Sequence, residues 1–215
     1  MRAFTLAAVV SMMGVLLGGC QSAMIAAGEA VGYEKREQLV DRVESARDGQ
    51  EAAKEQFADA LEEFRALTGP VDEDLEEIYD RLSRSLKRSE SRAKGVRDRI
   101  DNVEVVAKKL FSEWETELDQ YESQALRSAS EEQLGTTRAQ YARLIGAMRK
   151  AESTMDPVLR ALNDQVLFLK HNLNARAIAS LDQELSVLEG DIADLIGEMQ
   201  DSIDEANAFI EQMRT

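Results

Sequence analysis

The chain of 215 residues contains one cysteine, one histidine, two prolines and one tryptophan, and aromatics make up 5% of it. A lone cysteine excludes an internal disulfide, so stability has to come from packing. A lone histidine excludes an HExxH zinc site, which needs two imidazoles on one helix face. It also excludes a ferritin-like di-iron site, which needs two ExxH pairs; His171 has Phe168 three residues before it. No GxxxxGK[ST] loop is present to cradle a nucleotide phosphate, and no GxSxG elbow to present a serine nucleophile. The acidic run Asp72, Glu73, Asp74, Glu76, Glu77 lacks EF-hand spacing and its glycine. No cofactor, metal or catalytic constellation is therefore expected. Basic residues are outnumbered, 26 Lys and Arg against 41 Asp and Glu, for a net charge of −15. A general nucleic-acid binder needs the opposite balance.

What the chain does have is the makeup of long helices, rich in Ala, Glu, Leu, Arg and Asp, with 31% charged residues. Its first residues read MRAFTLAAVVSMMGVLLGGC. Arg2 is a short basic start, and residues 3 to 19 carry no charge. As a helix they would measure about 25 Å, short of a bilayer core of about 30 Å, so a cleaved signal peptide over 1–19 is expected. The segment ends Leu17-Gly18-Gly19-Cys20, which resembles the lipobox of bacterial lipoproteins, and Cys20 is the only cysteine. The resemblance implies a covalent lipid on Cys20 and cleavage just before it. Residue 21 is Gln rather than Asp, which by the same resemblance implies the outer membrane, facing the periplasm. Several acyl chains anchor firmly, since each buried CH₂ contributes about 0.8 kcal/mol. Residues 20 to 33 then form an Ala/Gly-rich tether.

From residue 34 the periodicity is helical and scarcely stops. A first stripe runs Leu39, Val43, Ala46, Gln50, Ala53, Phe57, Ala60, Phe64, Leu67, alternating steps of four and three as in a heptad seam. Thr68-Gly69-Pro70 breaks it. A second stripe begins after Asp72, from Leu75 through Ile100 to Tyr121, and a third runs from Leu134 through Leu162 to Met213. Ser128 or Ser130 is the expected cap of the third helix. Pro157 interrupts the third stripe without changing its phase. It either opens a fresh helix capped by Asp156 or kinks a continuous one. The fold class expected is all-α: an elongated antiparallel bundle or coiled coil of three to four long helices over 34–215.

Charge suggests how the first two helices pair. Residues 81 to 99 hold eight basic residues and two acids, with Arg81, Arg84, Arg88, Arg92 and Arg99 roughly on one side. The first helix carries an acidic stripe of Glu44, Asp48, Glu51, Glu55, Asp59 and Glu62. A fold at Gly69-Pro70 puts residue i opposite 139 − i, bringing Arg84 to Glu55 and Arg88 to Glu51. The basic stripe then sets the register of a hairpin. The alternative is a contact for anionic lipid headgroups.

The stretch QVLFLKHNLNARAIASL, 165 to 181, has no acid, where an even spread predicts about three. Leu167, Phe168 and Ile178 lie outside the third stripe, so the apolar arc is wider here. Either this helix is packed on two sides in the middle of the bundle, or Phe168 belongs to a docking face rimmed by Lys170, His171 and Arg176.

Three segments carry a resemblance across most of the mature chain: EKREQLVDRVESARDGQEAAKEQFADALEEF (34 to 64), RIDNVEVVAKKLFSEWETELDQY (99 to 121) and MDPVLRALNDQVLFLKHNLNARAIASL (155 to 181). They resemble the bacterial lipoproteins classed as domain of unknown function 2959. The resemblance implies a helical, coiled-coil-rich envelope protein and no established activity. The function expected is a structural, scaffold or adaptor role at the outer membrane, without catalysis, toward a protein or cell-wall partner. Bundle seams and intermolecular seams look alike in sequence, so a homo-oligomer fits the pattern as well.

Overall fold

The first two heptad stripes each become the buried edge of one helix, and the third is shared by two. The computed structural model of the chain describes the backbone at 19–66, 74–172 and 175–214, and side chains at 34–66, 74–172 and 184–214. Four helices follow in order: α1 (Gly19–Arg65), α2 (Leu75–Leu118), α3 (Gln124–His171) and α4 (Ala175–Arg214). α3, at 48 residues, is about 70 Å long. α1 packs on α2 and α4, and α3 packs on α2 and α4, with no close backbone approach across either diagonal among the described residues. The result is an up-down-up-down four-helix bundle.

Described residues of the first stripe from Leu39 to Phe64 are all buried. So are most of the second and third, including Ile100, Leu144, Met155, Leu162 and Ile192 at 0% exposure. Tyr121, the expected last member of the second stripe, is instead exposed. α2 stops at Leu118, and its end is followed by a turn. Asp74 caps the start of α2, its carboxylate accepting from the Glu76 N–H at 3.1 Å. Ser123, not Ser128 or Ser130, sits at the N-cap of α3. Ser130 lies inside α3 and accepts the Trp114 indole N–H at 2.8 Å, so its hydroxyl serves the α2/α3 contact. α1 already begins at Gly19, so the expected tether 20–33 has a helical backbone.

Pro157 lies inside α3 with its ring on the solvent side, and the helix runs on to His171. The reading in which Pro157 opens a new helix is thereby corrected. The hydroxyls of Ser153 and Thr154 turn back onto the Lys150 and Ala151 carbonyls at 2.7 and 2.8 Å. The third stripe is divided elsewhere, between His171 and Ala175. Its phase survives because α4 folds back along α3 and both present the same stripe to one core. Asn172 ends α3, its side-chain amide donating to the Phe168 carbonyl at 2.9 Å.

The first hairpin is displaced from its expected register. Lys35 pairs with Glu113, and Arg99 lies over Gly49, so residue i lies opposite roughly 148 − i. The expected pairs Arg84–Glu55 and Arg88–Glu51 do not form. Arg88 instead reaches Glu63 at 2.8 Å and Gln56 at 3.3 Å, and Glu51 takes Lys54 of its own helix at 2.9 Å. The turn residues 67–73, with Gly69, Pro70 and Asp72, lie outside the described residues.

α2 and α3 are joined by a ladder of ion pairs. Arg149 reaches Asp101 at 2.6 Å, Glu104 at 2.8 Å and Glu152 at 2.6 Å, and Arg97 pairs with Glu152 and Asp156. Its hydrogen bonds to the Glu104 carboxylate above all hold Arg149 more firmly in its charged form. Such partly exposed pairs contribute about 0–1 kcal/mol each. Beside them Tyr141 stacks edge-on against Phe111, ring centroids 5.4 Å apart. Burial, reinforced by the Glu104 charge, pushes its phenol from 10.0 up to about 12. The neutral phenol is the form the fold favours, so this stability is complete below pH 10 and is lost as pH rises toward 12. After screening it amounts to about 1 kcal/mol. Ultraviolet titration should show one of the four tyrosines ionising late, and Tyr141→Phe should remove that step. A step unchanged in the variant would assign it to another tyrosine.

Candidate functional site

Small residues on facing helix surfaces leave space that large ones would fill. Along the α1/α2 hairpin, Ser45, Gly49 and Ala52 face Ser91 and Gly95, and between them runs an open groove of about 880 Å³. Gly49 and Gly95, where better helix formers are expected, provide a slot for one side chain. A Cβ at Gly49 would stand 2.8 Å from Arg99 Cδ, and one at Gly95 would stand 2.8 Å from Arg99 Nη1. That guanidinium donates to the Gly95 carbonyl at 2.9 Å.

The groove gathers charges of both signs. Asp41, Glu44 and Asp48 come from α1, and Arg88, Arg92 and Arg99 from α2. The basic stripe and the acidic stripe thus meet, but few of their members bond directly. Glu44 is taken by Arg214 of α4 at 2.7 Å, and Asp48 by Arg47 at 2.8 Å. Arg88 is taken by Glu63. Among the described residues, Arg92 and Arg99 have no carboxylate within ion-pair distance. Gln56, buried to 9% exposure, lines the same groove. Arg88 Nε occupies its carbonyl oxygen, and its Nε2 is buried with no partner. The site therefore offers two guanidiniums and one amide N–H₂, all donors. Sequence reasoning pointed to the arginines through their charge. Gln56 gave no signal, being one polar residue beside a helical seam.

The other expected positions lie at the two ends of the bundle. Cys20 falls in the first turn of α1, and its side chain lies outside the described residues. Lys35 to Glu113 and Arg36 to the Met213 carbonyl (3.2 Å) tie that end of α1 to the end of α2 and of α4. The stretch 165–181 is at the far end, straddling the turn from α3 to α4, not in the middle of the bundle. Val166 and Leu169 are buried there, while Leu167 is 49% and Phe168 39% exposed. Lys170 and His171 are exposed in the last turn of α3, where positive charge suits the helix dipole. The side chains of Arg176 and Ile178 lie outside the described residues. The centre-of-bundle reading of this stretch fails because α3 ends there. Phe168 is left partly uncovered by the described part of this chain.

Among the described residues there is no group of three His, Cys, Asp or Glu placed to hold a metal ion. Nor, among them, is any helix long and apolar enough to cross a membrane. Comparison with curated proteins finds no match. The family model described as Protein of unknown function (DUF2959) matches residues 25–213, nearly the whole chain, and the chain therefore belongs to that family.

Proposed function

We propose that this protein is a lipid-anchored envelope lipoprotein, held in the outer membrane by Cys20 and facing the periplasm, with a structural, scaffold or adaptor role and no catalysis. The observation that carries the reading is the sequence Leu17-Gly18-Gly19-Cys20 after an uncharged run, with no other cysteine in the chain. The architecture suits it. An anchor at the start of α1 leaves the far end of the bundle, with Leu167 and Phe168, about 70 Å away. A long rod of this kind displays surface at a distance from a membrane. The partner it displays to is a protein or the cell wall.

The alternative, in which stripe 81–99 lies on anionic lipid, draws less support. Its cations are divided: Arg88 turns to Glu63, Lys94 to Asp98 at 2.6 Å, and Arg97 toward α3. In the groove beside them Asp41 has no ion pair among the described residues, and its charge would repel a sheet of anionic headgroups.

Mass spectrometry of the protein from fractionated cells tests the anchor. The mature chain should begin at Cys20 and carry acyl groups, and Cys20→Ala should lose the lipid and leave the outer-membrane fraction. Retention of residues 1 to 19 with an unmodified thiol would overturn the reading. Crosslinking in the intact envelope tests the adaptor role, and recovery of no partner by the anchored protein would count against it.

A further inference from the structure

The groove of α1 and α2 holds two guanidiniums that no carboxylate takes among the described residues, Arg99 donating only to the Gly95 carbonyl. Arg92 and Arg99 lack a carboxylate, while the neighbouring acids Glu44 and Asp48 are already neutralised by Arg214 and Arg47. Gln56 Nε2 is buried and unpartnered, and Arg88 on its oxygen fixes which way the amide points. A buried donor without an acceptor is costly and rare in a finished structure. Gly49 and Gly95 leave room for the Arg99 side chain to lie across the floor of the groove, which holds its guanidinium in place there.

We propose that this groove binds a short peptide through a free carboxylate. The carboxylate takes a guanidinium of the Arg92 and Arg99 pair, whose forks match its geometry. Peptide carbonyls accept from the other guanidinium and from Gln56. Arg92 and Arg99 are seven residues apart, about 10 Å along α2, the length of about three extended residues. Asp41, which has no ion pair among the described residues, lies beyond Arg99 at the acidic end of the groove and suits the peptide's ammonium terminus. That acidic end also favours a zwitterionic chain over a polyanion such as a lipid surface. The volume of about 880 Å³ is within the range of small-ligand sites. The proposal does not depend on the Cys20 anchor, and either can fail alone.

Calorimetric titration of the full-length protein in neutral detergent with penta-alanine bearing free termini tests it. Saturable binding is expected, with Kd of about 10 µM to 1 mM. Amidating the peptide's carboxylate, or the double change Arg92→Gln with Arg99→Gln, should weaken it at least about tenfold. Arg143→Gln, an exposed arginine of α3, should leave it unchanged. Gly49→Ala with Gly95→Ala supplies a variant that keeps its fold. Both changes favour helix, so it should melt higher, while its methyl groups displace Arg99 and weaken binding. Absence of saturable heat, or equal binding of the amidated peptide, would overturn the proposal. Tighter binding of inorganic phosphate or of anionic vesicles would reassign the site to those anions.

Discussion

Replacing Phe57 by alanine is expected to destabilise the bundle by about 3–5 kcal/mol, the cost of a large aromatic removed from a packed core. Phe57 is completely buried and is the largest of the fully buried side chains. By the register of the hairpin it stands level with Ser89 and Ala93 of α2, both also at 0% exposure. A large residue opposite two small ones fills a layer that nothing else reaches, and flanking helices held by ion pairs cannot close a void of that size. Chemical denaturation followed by helical circular dichroism measures the effect. A thermal midpoint would fall by roughly 2–4 °C for each kcal/mol. A loss below about 1 kcal/mol would mean that α1 and α2 slide to refill the layer, so that the register is less firmly set than the contacts of Arg88 and Arg99 with α1 indicate.

That register is where sequence and structure part company. The heptad phase was legible almost residue by residue, because an apolar residue every three or four positions has one way to be buried. The stripes from Leu39 to Phe64 and from Ile78 to Leu110 are the core. A heptad repeats, however, and is equally satisfied after sliding one helix past another by a whole repeat. The turn at Gly69-Pro70 suggested one offset and the charge stripes agreed with it, yet Arg88 meets Gln56 and Glu63 instead. Long arginine side chains reach a carboxylate from several registers, so charge complementarity constrains the offset weakly. The buried pair of Ser202 and Gln50, 2.9 Å apart, is more exacting, because a polar group in a seam tolerates few partners. Gln50 stood in the first stripe as its one polar member, but the helix opposite it could not be read from the stripe.

The same reasoning explains which parts of the candidate site could be seen. Eight basic residues between 81 and 99 announce themselves by number. Which of them remain without a carboxylate depends on α4, whose Arg214 takes Glu44, and on the offset of the hairpin. Both are tertiary facts. At the far end, the acid-free stretch 165–181 was distinctive for a local reason. The last turn of α3, with Lys170 and His171, suits positive charge rather than acids, and Val166 and Leu169 still have to close the end of the core.

Pro157→Ala is expected to stabilise the protein, by about 1–3 kcal/mol. Proline inside a helix lacks the N–H that residue 153 would accept, and its ring crowds that carbonyl. Here the ring points to solvent and fills no core position, so alanine loses no packing. Met155 and Val158, on either side, are at 0% and 1% exposure, and their seam already fits a continuous helix. Alanine restores one backbone hydrogen bond and removes the crowding. The gain falls short of the full helix-propensity difference of about 3 kcal/mol because α3 has already relaxed around the ring. Asp156, paired with Arg97 of α2, is untouched by the change. The thermal midpoint of the variant decides the matter. A lower midpoint would show that α3 needs the proline at 157 to keep Met155 and Val158 against α2 and α4 at once, and that it is a shaping element of the bundle.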